Sequence, residues 1–197
     1  TTTVNNQNFS YAYLSNIEDW SAKVDVDWMP KPDHLIKFGI GDIYHTFTPG
    51  VNQFQFSQTG NSALDTTFGA IKHYAHEVSA YLEDDWTVNN KLKGNGGIHF
   101  STFFVGDKQY SSLQPRLSFR YLIDQKSSFK MGYAKMGQFL HLLTNSGIGL
   151  PTDLWVPATE KIKPQFSDQI AAGYARTFRN KFEVSLEDLF FLSLIHI

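Results

Sequence analysis

The sequence predicts an all-β fold, an antiparallel transmembrane β-barrel to which this chain contributes about eight strands of a larger barrel. Three observations predict it. Apolar and polar residues alternate with a period of two in several segments, the connections between these segments are alternately short and long, and aromatic residues lie beside the short connections. Such a pattern is typical of a sheet with lipid on one face and water on the other.

Composition narrows the function classes before any segment is considered. The 197 residues include 15% Phe, Trp and Tyr, no cysteine, and a formal net charge of -2. This slightly negative net charge lacks the excess of Lys and Arg that nucleic-acid-binding proteins carry, so no nucleic-acid partner is expected. Without cysteine, neither a disulfide framework nor a thiolate metal site is predicted. Charged residues, Asn or Gly interrupt every apolar run, which excludes a membrane-spanning helix.

The first strand is predicted for Ile17–Trp28, where alternate residues form two chemically different faces. One face is polar, with Lys23 and Asp25, and the other is apolar, with Trp20, Ala22, Val24, Val26 and Trp28. A tight turn around Pro32 follows, and Ile36, Phe38 and Ile40 then alternate with Lys37, Gly39 and Gly41. Two antiparallel strands joined by a short turn account for this pattern.

Further strands follow the same pattern, with short turns near Asn90, Gln125 and Asn180. Long connections are expected at Thr48–Gly69, Gly106–Ser112 and Phe139–Gln165. All short turns then lie at one end of the sheet and all long loops at the other. Outer-membrane barrels have this asymmetry, with short periplasmic turns and longer extracellular loops.

The two strand faces are expected to meet different surroundings. Lipid contact is predicted for Val24, Val26, Ile40, Ala80 and Phe119. A membrane-interface girdle is predicted for the aromatic residues beside the short turns, Trp28, Trp86, Tyr121, Phe129 and Phe178. Water or a lumen-filling domain is expected to contact the polar face, and substrate contact is the alternative for its residues, which are Asp19, Lys23, Asp25, Asp27, Arg116 and Arg120.

No catalytic residue, metal ligand or cofactor is predicted, and the chain is therefore not expected to be an enzyme. His73 and His76 point to opposite faces of a strand, and the consecutive carboxylates of Glu83–Asp85 do not face each other. The glycine-rich stretch Gly94–Gly97 lacks the lysine and the following helix of a phosphate-binding loop. Glycines within a strand more often mark a close approach of another group.

Ligand recognition is best placed in the long loop Phe139–Gln165, because binding residues often lie on loops held by a rigid scaffold. Within it, Leu154 and Trp155 form an apolar candidate for substrate contact. Packing of this loop over the barrel mouth explains the same residues equally well.

Three segments resemble those of a known family. Tyr81–Trp86 reads YLEDDW and is similar to a YLQDDW strand, and Leu113–Ser118 reads LQPRLS and is similar to a LEPRLS strand start. Leu142–Pro157 resembles an extracellular loop of receptors that carry a carboxypeptidase-like regulatory domain. These are features of TonB-dependent outer-membrane receptors, and the resemblance covers roughly Tyr81 to Phe178.

The resemblance implies a barrel of about 22 strands with a plugged lumen. It implies uptake of a nutrient ligand through the cell outer membrane, with outer-membrane lipid around the barrel and with the plug domain and the TonB complex as partners. Two alternatives stay open, an outer-membrane channel without energy coupling and a soluble β-sheet binding module.

Residues 1–187 are assigned to the partial barrel, and residues 188–197 to a non-native or irregular tail, because alternation is lost after Glu187; a hydrophobic strand end is the alternative for these last residues. The chain shows no signal peptide and no initiator Met, so it is interpreted as a fragment. Alone, it is expected not to form a stable closed particle, because about eight strands of a wide barrel leave two unpaired edges.

Overall fold

The computed structural model describes residues 7–58, 61–69, 71–145, 152–178 and 181–194. None of these residues forms a helix long and apolar enough to cross a membrane. The strands in chain order are β1 (Gln7–Lys31), β2 (His34–Gln58), β3 (Asn61–Phe68), β4 (His73–Thr87), β5 (Leu92–Val105), β6 (Lys108–Asp124), β7 (Ser127–Gln138), β8 (Leu140–Asn145), β9 (Thr152–Pro157), β10 (Gln165–Phe178) and β11 (Phe182–Leu194).

Eight strands follow one another in a single antiparallel sheet, in the order β1-β2-β4-β5-β6-β7-β10-β11. The short strand β3 pairs with the distal half of β2, and β8 and β9 form a separate hairpin. The sheet is curled like a half-barrel, with β1 and β11 at the edges of its described part. The predicted all-β, antiparallel, partial barrel with about eight strands is confirmed.

Short turns join the strands where they were predicted. β1 and β2 are joined at Pro32–Asp33, β4 and β5 at Val88–Lys91, and β6 and β7 at Gln125–Lys126. The turn expected at Asn180 lies outside the described residues, but Phe178 and Phe182 pair directly on either side of it. Because neighbouring strands are antiparallel, these connections all lie at one end of the sheet, the short-turn end.

Two of the expected long connections are wrong. Residues 48–58 continue β2 and residues 61–68 form β3, and the connection between β5 and β6 is only Gly106–Asp107. β1 and β2 each have 25 residues, more than the ~9–11 that cross a bilayer. Polar residues on both faces of a segment indicate a loop only where one strand face must be apolar, and these strand ends extend beyond the apolar part of the sheet.

One face of the sheet, the outer face, is apolar and exposed. A single cross-strand row contains Val24, Ile40, Ala80, Phe100 and Leu113. All five are exposed, as are Val26 and Phe119, so the five residues predicted to face outward lie on this face. An exposed apolar surface of this extent marks contact with another apolar phase or partner.

Asp84 interrupts the outer face near the short-turn end. Its carboxylate lies 2.6 Å from the imidazole of His34 on the neighbouring strand. Trp86, two residues further on, turns its indole over the next strand, so that a Cβ built at Gly94 would meet the ring at 2.5 Å. Gly94 is therefore required for close packing of an aromatic side chain rather than for a turn.

Substituting Gly94 by alanine is expected to displace the Trp86 indole and to lower the free energy of unfolding by about 1–3 kcal/mol, because the new methyl group overlaps the ring. Tryptophan fluorescence and denaturant titration of the folded protein would measure both effects. Gly132→Ala is the matched control, since a Cβ there meets its nearest atom at an ordinary 3.6 Å. Equal effects of the two substitutions would contradict the explanation.

The C-terminal boundary at residue 187 requires a correction. β11 runs to Leu194, and Asp188 to Leu194 pair residue by residue with Ala172 to Phe166 of β10. The expected irregular structure is therefore wrong for residues 188–194. Backbone hydrogen bonds of a ladder do not depend on alternating side chains, so loss of the pattern did not end the strand. The expected non-native origin of residues 188–197 stays a prediction.

Candidate functional site

The candidate site is the other face of the sheet, called the inner face, against which the β8–β9 hairpin region packs. Polar and charged residues line it from strand to strand. One cross-strand row contains Asp27, Lys37, Glu83, Gly97 and Arg116. A barrel with this arrangement encloses a hydrated interior.

Lys37 is the centre of an ion-pair network on this face. Its Nζ lies 3.0 Å from Asp85 and 3.6 Å from Glu83, both on β4. The side-chain amide of Asn95 on β5 donates to the second oxygen of Asp85 at 2.6 Å. These acidic groups are thus already partnered within the wall.

A second network joins β1 to β4 across a glycine. The Tyr81 hydroxyl donates to Asp25 at 2.6 Å, and Lys23 lies 3.0 Å from the same carboxylate and 5.4 Å from the Tyr81 ring centre. A Cβ at Gly39 would be 2.6 Å from the Asp25 oxygen and 2.8 Å from the Tyr81 ring. Gly39 therefore allows Tyr81 to lie across the strand to reach its acceptor.

Towards the end opposite the short turns, the inner face carries a buried apolar cluster. Its fully or nearly fully buried members are Phe47, Ala75, Phe103, Phe139 and Ala158. The rings of Phe103 and Phe139 are stacked, with centroids 5.2 Å apart and an interplanar angle of 3°. This stack joins the wall to the residue that precedes the β8–β9 hairpin.

Polar contacts fix the other side of the hairpin. Ala158 donates its backbone N–H to the Phe139 carbonyl at 2.7 Å, and the Tyr110 hydroxyl donates to the Thr159 carbonyl at 2.7 Å. Lys108 pairs with Glu160 at 3.0 Å. The hairpin is therefore held to the inner face by its base, in agreement with the expected packing of this loop over the mouth.

The two ligand candidates of this loop lie on β9. Trp155 pairs with Leu142 of β8, and both are exposed, Trp155 at 39% and Leu142 at 42%. Leu154 pairs with Leu143 through the backbone, while its side chain lies outside the described residues. Substrate contact by Leu154 and Trp155 stays a prediction.

His45 lies between the ion-pair networks and the apolar cluster. Its Nδ1 is 2.7 Å from Asp19, its Nε2 is 3.7 Å from Glu77, and the rings of Phe47 and Phe103 lie beside it. Among the described residues, no group of three or more His, Cys, Asp or Glu side chains is arranged to hold a metal ion. His45 therefore joins β1, β2 and β4 without forming a ligand set.

A β-bulge changes the faces of β2 above this level. Leu14 pairs with Val51 and Asn16 with Thr48, so β2 has one extra residue, and Gly50 adopts the positive φ of 60°. Beyond the bulge, aromatic residues of three strands lie on the inner face. This surface, the aromatic wall, consists of Phe9, Tyr11, Phe54, Phe56 and Phe68.

The polarity of the two faces is also reversed beyond the bulge. The outer face of the same extension is polar, with Ser10 donating to Gln55 at 3.3 Å and Gln55 donating to Asp65 at 3.2 Å. Below it, Trp20 and Trp28 delimit an apolar outer band of about 26 Å along β1 at ~3.3 Å per residue, which corresponds to a height of about 20 Å for a strand tilted by about 40°. Sequence reasoning missed this aromatic wall, although Phe54 and Phe56 alternating with glutamines indicated a strand.

The aromatic residues predicted for the membrane interface lie on the outer face near the short-turn end. They are Trp28, Trp86, Tyr121, Phe129 and Phe178. At the other margin, Trp20, Tyr44 and Phe104 lie on the same face, and Trp20 is 70% exposed. The membrane-interface role of the five predicted residues stays a prediction.

An apolar outer band, a charged inner face and a hairpin folded against that inner face define part of the wall of a membrane β-barrel. The family model described as TonB dependent receptor-like, beta-barrel matches residues 1–193. The chain therefore belongs to the TonB-dependent receptor β-barrel family, whose members are outer-membrane receptors rather than enzymes. No curated protein and no solved structure matches the chain.

Proposed function

We propose that this chain lies in the outer membrane as part of the wall of a receptor that imports a nutrient ligand and draws its energy from the TonB complex. The family match and the charged, hydrated inner face support the proposal. The single observation that carries it is the hairpin held against this face, because it positions recognition residues beside a transport pathway.

Lipid and protein partners follow from the two faces. Outer-membrane lipid surrounds the apolar band, with Trp20 and Trp28 at its two margins. The plug domain that accompanies this family fills the interior. The resemblance of Leu142–Pro157 to a loop of the corresponding receptors supports a carboxypeptidase-like regulatory domain in the same polypeptide.

Ligand recognition is assigned to the exposed pair Leu142 and Trp155 and to the aromatic wall. Both offer uncharged, partly exposed side chains, and aromatic rings give large contact areas at low conformational cost. Binding by these surfaces precedes passage along the charged inner face.

Trp155→Ala is expected to weaken ligand binding by the intact receptor about tenfold or more, since loss of an aromatic anchor commonly costs 1–2 kcal/mol or more. Binding would be measured with ligands identified by nutrient-limited growth of cells that express the receptor. Phe100→Ala, on the outer face, is the control because its side chain points away from the interior. Unchanged affinity of Trp155→Ala would remove Trp155 from the site.

Energy coupling is tested by uptake into cells with and without TonB. The proposal expects uptake only when TonB is present. Uptake that continues without TonB would instead identify a channel without energy coupling, the alternative that the sequence left open.

A further inference from the structure

His45 is buried between two carboxylates that belong to different strands. Only 3% of its side chain is exposed, Nδ1 lies 2.7 Å from Asp19 on β1, and Nε2 lies 3.7 Å from Glu77 on β4. Among the described residues, Nε2 has no partner at hydrogen-bond distance. A neutral imidazole has one N–H, whereas a protonated imidazolium has two. Only the protonated ring can therefore present an N–H to both carboxylates.

The two carboxylates stabilise the charged form of the ring. Burial lowers the pKa of His45, but its interactions with Glu77 and Asp19 outweigh burial and raise the pKa above its usual value. Asp19 lies one residue beyond Trp20, so these groups are outside the apolar band. A histidine whose pKa is raised by folding contributes stability below its unfolded pKa of about 6.5, and this contribution is lost as pH rises through the folded pKa.

The other immediate neighbours of His45 are apolar. The ring centres of Phe47 on β2 and Phe103 on β5 lie 5.6 Å and 6.0 Å from that of the imidazole. Asp19 and Glu77 are thus the charged groups that face His45 from β1 and β4. Further titratable groups lie one to three rows away on the inner face of these strands, namely Lys23 on β1, His73 on β4 and His99 on β5.

Phe103 connects His45 to the β8–β9 hairpin. Its ring also stacks on Phe139, which directly precedes β8, with centroids 5.2 Å apart. When His45 is neutral, one of its nitrogens presents a lone pair to a carboxylate, and a shift of the imidazole relieves this repulsion. Closely packed rings cannot follow such a shift without losing contact. Neutral His45 therefore weakens the contact between Phe103 and Phe139.

We propose that His45 is a pH-dependent anchor of the hairpin: protonated His45 keeps the β8–β9 hairpin packed on the inner face, and deprotonation releases it. The hairpin is thus held in acid and is released as the medium becomes alkaline. This proposal goes beyond the proposed function, because it concerns control of the hairpin and does not depend on the ligand or on energy coupling.

Protease cleavage within β8 and β9 of the intact receptor in outer membranes tests the proposal from about pH 6 to about pH 9, on both sides of the usual histidine pKa. Each rate is divided by the cleavage rate of an unstructured reference peptide at the same pH, which corrects for the protease itself. The normalised rate is expected to rise about tenfold, because an interaction with a charged group is lost and cleavage follows the open population. A normalised rate that does not change with pH would overturn the proposal.

His45→Gln is expected to abolish this pH dependence and to give fast cleavage throughout, because glutamine cannot carry the charge. Two other histidines serve as matched controls that should keep the wild-type pH profile. They are His76→Gln, exposed on the outer face, and His141→Gln, buried in β8. If His141→Gln abolished the pH dependence and His45→Gln kept it, His45 would not be the anchor.

Substitutions of the two carboxylates provide a second test, which does not require the His45→Gln receptor to fold. Asp19→Asn and Glu77→Gln each remove one negative charge beside the ring, so release of the hairpin is expected at lower pH in both variants. Cleavage profiles identical to the wild-type profile in both variants would overturn the proposal.

Discussion

Phe103→Ala is expected to lower the free energy of unfolding by about 3–5 kcal/mol and to release the hairpin from the inner face. Phe103 is fully buried, and its ring stacks on Phe139 at 5.2 Å. Truncation removes this stack and leaves a cavity beside Phe47 and His45, which the surrounding strands cannot fill without losing their register. Denaturant titration of the receptor in lipid vesicles would measure the loss of stability.

Release of the hairpin has its own measurement. Proteolysis within β8 and β9 is expected to become faster in Phe103→Ala, because local opening releases these two strands from the inner face. Phe100→Ala is the control on the same strand, where the side chain is 44% exposed on the outer face and leaves no internal cavity. If the two variants lose equal stability and are cleaved at equal rates, the buried cluster does not hold the hairpin.

Val24→Arg is expected to cost about 2–4 kcal/mol of unfolding free energy, the range for a cation at the midplane of a membrane barrel. Val24 lies midway between Trp20 and Trp28 and is 62% exposed on the outer face. A guanidinium there must leave water or distort the bilayer. The measurement is reversible unfolding from lipid vesicles.

Arginine substitutions at two neighbouring residues of β10 distinguish the cost of placing a charge in lipid from the cost of a larger side chain. Ile170 lies on the outer face and Gln169, its neighbour, on the inner face. Ile170→Arg is expected to destabilise the receptor, whereas Gln169→Arg keeps its charge in the hydrated interior and should cost little. Similar costs at both positions would mean that the outer face does not contact lipid.

Much of the fold was predictable because lipid forces a regular pattern onto each strand. Trp20 to Trp28 alternate with charged residues, and the structure places these sets on opposite faces as expected. Turn residues near Pro32, Asn90 and Gln125 correctly marked the ends of strands. Where one face must be apolar and the other polar, shifting the pairing of a strand by one residue would move every side chain to the wrong face. The observed strand register therefore follows the alternation in the sequence.

Prediction failed where that constraint ends. Beyond the apolar band neither face of a strand has to be apolar, and polar residues such as Gln53 and Gln55 then occur in a strand without indicating a loop. At Asp188 an irregular tail was expected because alternation ends there. The ladder of backbone hydrogen bonds nevertheless continues after the side-chain pattern has been lost.

The sequence by itself determined the fold class, the residues of the apolar outer face and the family resemblance, because these depend on alternation and on short segments. Only the tertiary structure decided that the bulge at Gly50 turns Phe54 and Phe56 inward, that Phe139 joins the hairpin to Phe103, and that His45 lies between Asp19 and Glu77. Each of these depends on which residues of distant strands are opposed. Cross-strand register adds contacts between residues far apart in the chain, and alternation within one strand does not specify them.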